Sequence, residues 1–79
     1  MEETRIFKLK EIEEADISMT LKEVVESLKE KGYDPIKQIV GYLMSGDPGY
    51  ISSYQDARKK LVKFERAKVL EFLVSEFVK

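Results

Sequence analysis

Thr20-Leu-Lys-Glu23-Val-Val-Glu-Ser-Leu28-Lys-Glu-Lys-Gly32-Tyr-Asp34-Pro35-Ile-Lys-Gln-Ile-Val40-Gly-Tyr-Leu-Met-Ser-Gly46 reads as two helices joined by a turn. Thr20 and Glu23 have the spacing of a capping box, in which the hydroxyl accepts from the Glu23 amide and the carboxylate reaches back. Leu21, Val24, Val25 and Leu28 then fall at i, i+3, i+4 and i+7, one face of a helix. Lys29 and Lys31 suit its negative end, and Gly32 supplies the left-handed residue that closes it. The spacing predicts a helix over residues 19–31. Asp34 as N-cap and Pro35 as first helical residue restart the chain. Ile36, Ile39, Val40 and Leu43 repeat the apolar spacing until Gly46 stops it.

Outward from this pair the pattern weakens. Ser45-Gly-Asp-Pro-Gly-Tyr50 is rich in turn formers. Ser53-Tyr-Gln-Asp56 opens a further helix through roughly Val62; nothing near Phe64-Glu65 forces a break, so the sequence leaves open whether it continues to Val78. Seven of the ten residues from Val69 to Val78 are apolar (Val69, Leu70, Phe72, Leu73, Val74, Phe77, Val78). That arc is wider than the stripe of a surface helix, so one side is expected to face the chain and the other a partner. Upstream, Ile6, Phe7, Leu9 and Ile12 follow neither a period of two nor one of 3.6, and Lys10-Glu-Ile-Glu-Glu14 is mostly charge. The expected fold is all-α: a small compact bundle of four to five short helices, homodimeric. Residues 1–17 are expected to form a flexible arm, with a short extended piece at Arg5–Leu9, and residues 18–79 a single helical dimerisation domain. Leu70, Leu73, Val74 and Phe77 are the candidate dimer interface.

Size supports the second copy. The chain has 79 residues, one small domain, with no cysteine and no histidine. Such a domain hides only about 60% of the surface its unfolded chain exposes. Disulfides are absent and zinc has lost its two favoured ligands, so oligomerisation is the remaining staple. No cofactor or metal is expected. Fourteen basic residues against fifteen acidic give a net charge of −1, unlike the basic excess of a dedicated nucleic-acid binder. No stretch approaches a membrane span and the first residues are the wrong start for a signal peptide, so a cytoplasmic protein is expected. The charges are segregated. Residues 58–68 carry Arg58, Lys59, Lys60, Lys63, Arg66 and Lys68 against Glu65 alone, while residues 1–31 are acidic on balance.

Catalysis is poorly supported. The commonest proton shuttle and a favoured nucleophile are missing, and the carboxylates sit singly or in solvated runs such as Glu13-Glu14. Gly46-Asp-Pro-Gly49 lacks the spacing and lysine of a phosphate loop and reads as a helix–helix turn. The two helices could form a helix-turn-helix, yet residues 35–45 hold one lysine and one glutamine among apolar side chains, a poor set for base edges. The basic run at 58–68 is the better phosphate surface, or else a solvated face balancing the acidic half. Tyr33, Tyr42, Tyr50 and Tyr54 suit helix junctions or an interface. Thr4, near the tip of the expected arm, is an accessible hydroxyl for a kinase.

The tract from Glu30 to Ile51, Glu-Lys-Gly-Tyr-Asp-Pro-Ile-Lys-Gln-Ile-Val-Gly-Tyr-Leu-Met-Ser-Gly-Asp-Pro-Gly-Tyr-Ile, resembles the signature of the IreB family of bacterial regulatory phosphoproteins. Ala57-Arg58 and Phe64-Glu65-Arg66 are similar to that family's later motifs, and Thr4-Arg-Ile-Phe7 to its phosphorylated amino-terminal segment. The resemblance implies a non-enzymatic, all-helical homodimer with a flexible arm. It implies phosphorylation by a membrane Ser/Thr kinase bearing extracellular PASTA domains, with Thr4 in the place of the phosphothreonine. It also implies a role in cell-wall control through regulated proteolysis of the first committed enzyme of peptidoglycan synthesis. Arg58 and Arg66 take the places of two typical basic residues. Ser52, Ser53, Val62, Ala67 and Lys68 depart from the family pattern and bear on the partner-binding surface. Together these readings make Arg58, Lys59, Lys63 and Arg66 the candidate partner- or phosphate-binding set, the counter-surface to a phosphorylated arm. The alternative reading is a small helix-turn-helix-like DNA-binding regulator that lays its basic helix on phosphates.

Overall fold

Gly32 and Gly46, both at positive φ (82° and 77°), close the first two helices as the sequence anticipates. A computed structural model describes the backbone of residues 2–79 and the side chains of residues 8–79. Four α-helices follow in order: α1 Glu2–Glu30, α2 Pro35–Ser45, α3 Ala57–Val62 and α4 Arg66–Val78. Single 3₁₀ turns at Pro48–Tyr50 and Tyr54–Asp56 lie between α2 and α3. The all-α class is as expected.

The Asp34 carboxylate accepts from the Ile36 and Lys37 amides at 3.0 and 3.2 Å, with Pro35 leading α2. Past Gly46 the Asp47 carboxylate accepts from the Gly49 amide at 2.8 Å and turns the chain so that Ile51 enters the core, fully covered. α1 is the spine, in contact with each of the other three helices. The core lies along its inner face, where Ile17, Leu21, Val24 and Leu28 meet Ile39, Tyr42 and Leu43 of α2, together with Ile51, Ala57, Leu61 and Val69.

Two helix starts differ from expectation. α1 does not start at the Thr20 capping box; Thr20 is an interior helical residue, buried at 6% exposure. Ile17, four residues before Leu21, extends the same apolar row and is covered to 1% exposure. α4 also meets this part of α1, with Lys68, Glu71, Phe72 and Ser75 facing Lys10, Glu13, Glu14 and Ile17. With no proline or glycine upstream, the helix simply continues. The segment 8–17, read as arm, is therefore helical backbone, whereas the side chains of residues 1–7, including Thr4, lie outside the described residues.

The Ser53 start signal yields a 3₁₀ turn instead of helix, and α3 begins at Ala57. Gln55 and Asp56 both take left-handed backbone (φ 51° and 61°), because the Gln55 side chain is held by the Ser27 hydroxyl, which donates to Oε1 at 2.7 Å. α3 ends at Val62, as expected, and the question left open by the sequence is answered by a break at Lys63–Glu65. Phe64 turns its ring onto the core and Glu65 is extended, with ψ 136°.

Candidate functional site

The basic surface is built by α3, the loop before it and the start of α4. Arg58 is held twice: its amide donates to the Ser52 carbonyl at 3.1 Å and its Nε to the Ile51 carbonyl at 2.9 Å. Arg58 and Lys59 line a shallow hollow with Pro48, Ser53, Asp56 and Val62. Lys63 and Arg66 do not line it. The Lys63 ammonium sits over the Phe64 ring, 5.1 Å from its centroid. Arg66 donates from Nη1 to the Leu43 carbonyl at 3.1 Å, satisfying one of the orphan acceptors at the end of α2. Its guanidinium lies so close to Gly46 that a Cβ there would stand 2.9 Å from Cζ. Lys60 pairs with Glu23 at 3.2 Å, across to α1. Of the four basic candidates, then, the fold brings two into one concavity and gives a third a structural contact to backbone. Asp56 contributes a carboxylate to the same hollow, so its charged groups are two cations and one anion.

Nearby, the Tyr54 hydroxyl donates to the Glu30 carboxylate at 3.1 Å, and the Lys31 ammonium lies 5.1 Å from the Tyr54 ring centroid. The hydrogen bond to Glu30, with smaller contributions from desolvation and the carboxylate's charge, raises the phenol's pKa above its usual 10.0.

A second surface is apolar. Of the seven apolar residues between Val69 and Val78 only Val69 is buried, with Phe72 half-buried. Leu70, Leu73, Val74 and Phe77, the candidate interface, are all exposed, Phe77 at 91%. Leu73 borders a groove walled by Leu21, Val25, Pro35, Ile36, Ile39 and Val40. The outward row of α2, Ile36, Val40 and Met44, continues this face. A DNA-reading helix needs polar groups on its outward face, and α2 offers this row instead. Gln38 is also engaged, its Oε1 accepting from the Ser52 amide at 2.9 Å. No helix among the described residues is long and apolar enough to cross a membrane.

The chain matches the IreB regulatory phosphoprotein family over residues 2–79. It belongs to that family. Membership makes this IreB-family chain a regulatory phosphoprotein, which implies a kinase acting on it and a non-enzymatic role.

The tract that carries the IreB resemblance proves to be scaffold. Glu30 holds Tyr54, Gly32 and Asp34-Pro35 make the first turn, and Gln38 holds the chain at Ser52. Gly41 lies under the Tyr50 ring, where any Cβ would collide, and Gly46 lies under Arg66. The exposed apolar residues that sequence reasoning missed are Ile36, Val40 and Met44. The apolar spacing groups Ile36 and Val40 with Ile39 and Leu43, but only Ile39, Tyr42 and Leu43 are buried. The signal was present: residues 36, 40 and 44 form their own i, i+4, i+8 row, and Met44 at 82% exposure completes it.

Proposed function

We propose that this chain is a homodimeric cytoplasmic switch, phosphorylated on Thr4 by a membrane Ser/Thr kinase with PASTA domains. It controls peptidoglycan synthesis through regulated turnover of the pathway's first committed enzyme, acting by protein contacts and without catalysis. The observation that carries the regulatory reading is the family match along residues 2–79. Two physical features support the finer parts. Ile36, Val40 and Leu73 share one apolar groove, and Met44, Leu70, Val74 and Phe77 of the same two helices are also exposed, an apolar excess of the kind that marks an association site. Arg58 and Lys59, which share the hollow beside α3, give an acidic or phosphorylated segment a counter-surface.

The test is phosphosite mapping. The protein is incubated with ATP and the catalytic domain of a PASTA-type kinase, and phosphate is located by mass spectrometry, with Thr4→Ala as control. Stoichiometric phosphate on Thr4 is the expected result. Phosphate scattered over Thr20, Ser52 and Ser53, or none, overturns the assignment. The homodimer is checked on the same sample by sedimentation, with a mass of two chains expected and a single-chain mass at all concentrations against it.

A further inference from the structure

The hollow beside α3 and the length of α1 together restrict how a modified amino-terminal segment can be received. The hollow's cations lie on α3 between two points tied to α1: Gln55, held by Ser27, and Lys60, paired with Glu23. From Lys8, the first residue with a described side chain, the axis of α1 runs about 22 Å to the level of Glu23 and about 28 Å to that of Ser27. Four residues separate Lys8 from Thr4, and fully extended they span at most about 14 Å. Neighbouring helix axes add a lateral 8–10 Å or so to the path. With residues 8–30 helical, the Cα of Thr4, even at full extension, stops about 10 Å short of the nearer level of its own chain's hollow. Only fully stretched side chains on both sides would close that gap, so a second copy is the less strained donor.

We infer that the hollow formed by Pro48, Ser53, Asp56, Arg58, Lys59 and Val62 receives the phosphorylated amino-terminal segment of a second copy, in trans. This rests on the assignment of Thr4 as the modified residue. The segment's chemistry matches the hollow group by group. Glu2, Glu3 and a phosphate on Thr4 supply anions for Arg58 and Lys59; Arg5 supplies the cation for Asp56; and Ile6 and Phe7 are apolar partners for Pro48 and Val62. Arg58 is pre-set for the task, because its Nε bond to Ile51 fixes the guanidinium before any ligand arrives. The hollow shares no residue with the apolar face of α2 and α4, so association through that face leaves it open.

The test uses synthetic phosphothreonine and so stands apart from the question of which residue a kinase selects. A fluorescent peptide of residues 1–10, with or without phosphate on Thr4, is titrated against the full chain carrying Thr4→Ala. The phosphopeptide is expected to bind at least about tenfold more tightly than its unmodified form, the scale of one or two charge-assisted hydrogen bonds. Lys59→Ala, at an exposed position, removes most of that difference. Asp56→Asn, which keeps a residue tolerant of left-handed backbone, increases it. Equal affinity for the two peptides, or no response to either substitution in a receptor whose circular dichroism is unchanged, overturns the proposal.

The trans geometry is read separately by NMR. An isotope-labelled Thr4→Ala chain is mixed with an unlabelled chain bearing Lys59→Ala and phosphothreonine installed at position 4 by ligation. Shifts confined to amides around Ser53, Arg58, Lys59 and Val62 are expected, and their absence is decisive against docking on a second copy. Peptide docking alongside failed phosphorylation of Thr4 by the kinase would show that the hollow is correctly read and the kinase site is not.

Discussion

The tract from Glu30 to Ile51 and the helix from Arg66 to Val78 are opposite kinds of sequence. In the first, most side chains have a partner within the chain: Glu30 holds Tyr54, Asp34 caps α2, Gln38 holds Ser52, and Ile39, Tyr42 and Leu43 fill the core. In the second, the apolar content is comparable, but Val69 alone is fully covered, and Leu70, Leu73, Val74, Phe77 and Val78 face outward. A motif specific enough to identify a family is here a set of instructions for folding. The less distinctive helix carries the surface left unfilled by the fold, and α2 belongs to both, with one row inside and the other out.

Substitutions can break this contrast from either side. The largest effect is expected at Ile51, which closes the identifying tract and is fully covered. Ile51→Ala should cost about 2–5 kcal/mol in urea unfolding, a large part of a small domain's stability. Next comes Gly46→Ala, which forces a Cβ into left-handed backbone and against Arg66. About 1–2 kcal/mol is expected from the backbone alone. A neutral Gly46→Ala would contradict the left-handed backbone and the close Arg66 approach described at the end of α2.

The sequence made this contrast only partly legible. Gly32, Asp34-Pro35 and Gly46 announced their turns because capping chemistry is local, acting within a few residues. Thr20 gave a false start because Thr-x-x-Glu also occurs inside helices; the deciding fact was Ile17, covered by elements that come much later in the chain. Which row of α2 turns inward is likewise set by α1 and α4, since 36/40/44 and 39/43 are equally periodic. The left-handed pair Gln55-Asp56 had no signal of its own, because neither is glycine and the Ser27 bond that holds Gln55 comes from 28 positions away. For the candidate site, composition found the basic run, but only the fold separates Arg58 and Lys59, which share a hollow, from Arg66, which is tied to Leu43.

Smaller effects sharpen the comparison further. Tyr54 donates to Glu30, and its pKa is raised in the folded chain, so this bond contributes fully below about pH 10, the usual phenol value. The contribution disappears as pH rises through the higher folded value. Tyr54→Phe should therefore unfold more easily than the parent at neutral pH, and the gap should close in alkaline solution. A gap that is constant from neutral pH to strongly alkaline pH contradicts the bond. The smallest change in chain stability is expected on α4. Phe77→Ala at micromolar concentration should shift unfolding by no more than about 0.5 kcal/mol, as exposed positions do. The same substitution should raise the concentration needed for self-association by at least about tenfold, the scale of one well-packed aromatic anchor. A large loss of single-chain stability with association untouched would reverse the roles given to the two regions.

α1 has a consequence for how force and information pass through the molecule. Among the described side chains of this continuous 29-residue helix, those fully covered by the rest of the fold lie between Ile17 and Leu28. Upstream, Leu9 and Ile12 are exposed, and α4 faces Lys10, Glu13 and Glu14 only across a mainly polar pocket. Amide protons of the covered half should exchange only when the whole domain opens, and those of Lys8–Ile12 far sooner, by local fraying. The two halves thus belong to different cooperative units although no residue marks the join. Charge added near the start of α1 can then change the fraying of the outer turns while the core keeps its structure. Such a helix works less as a lever than as a tether with a melting end, adjustable over its outer turns without loss of the fold that anchors it.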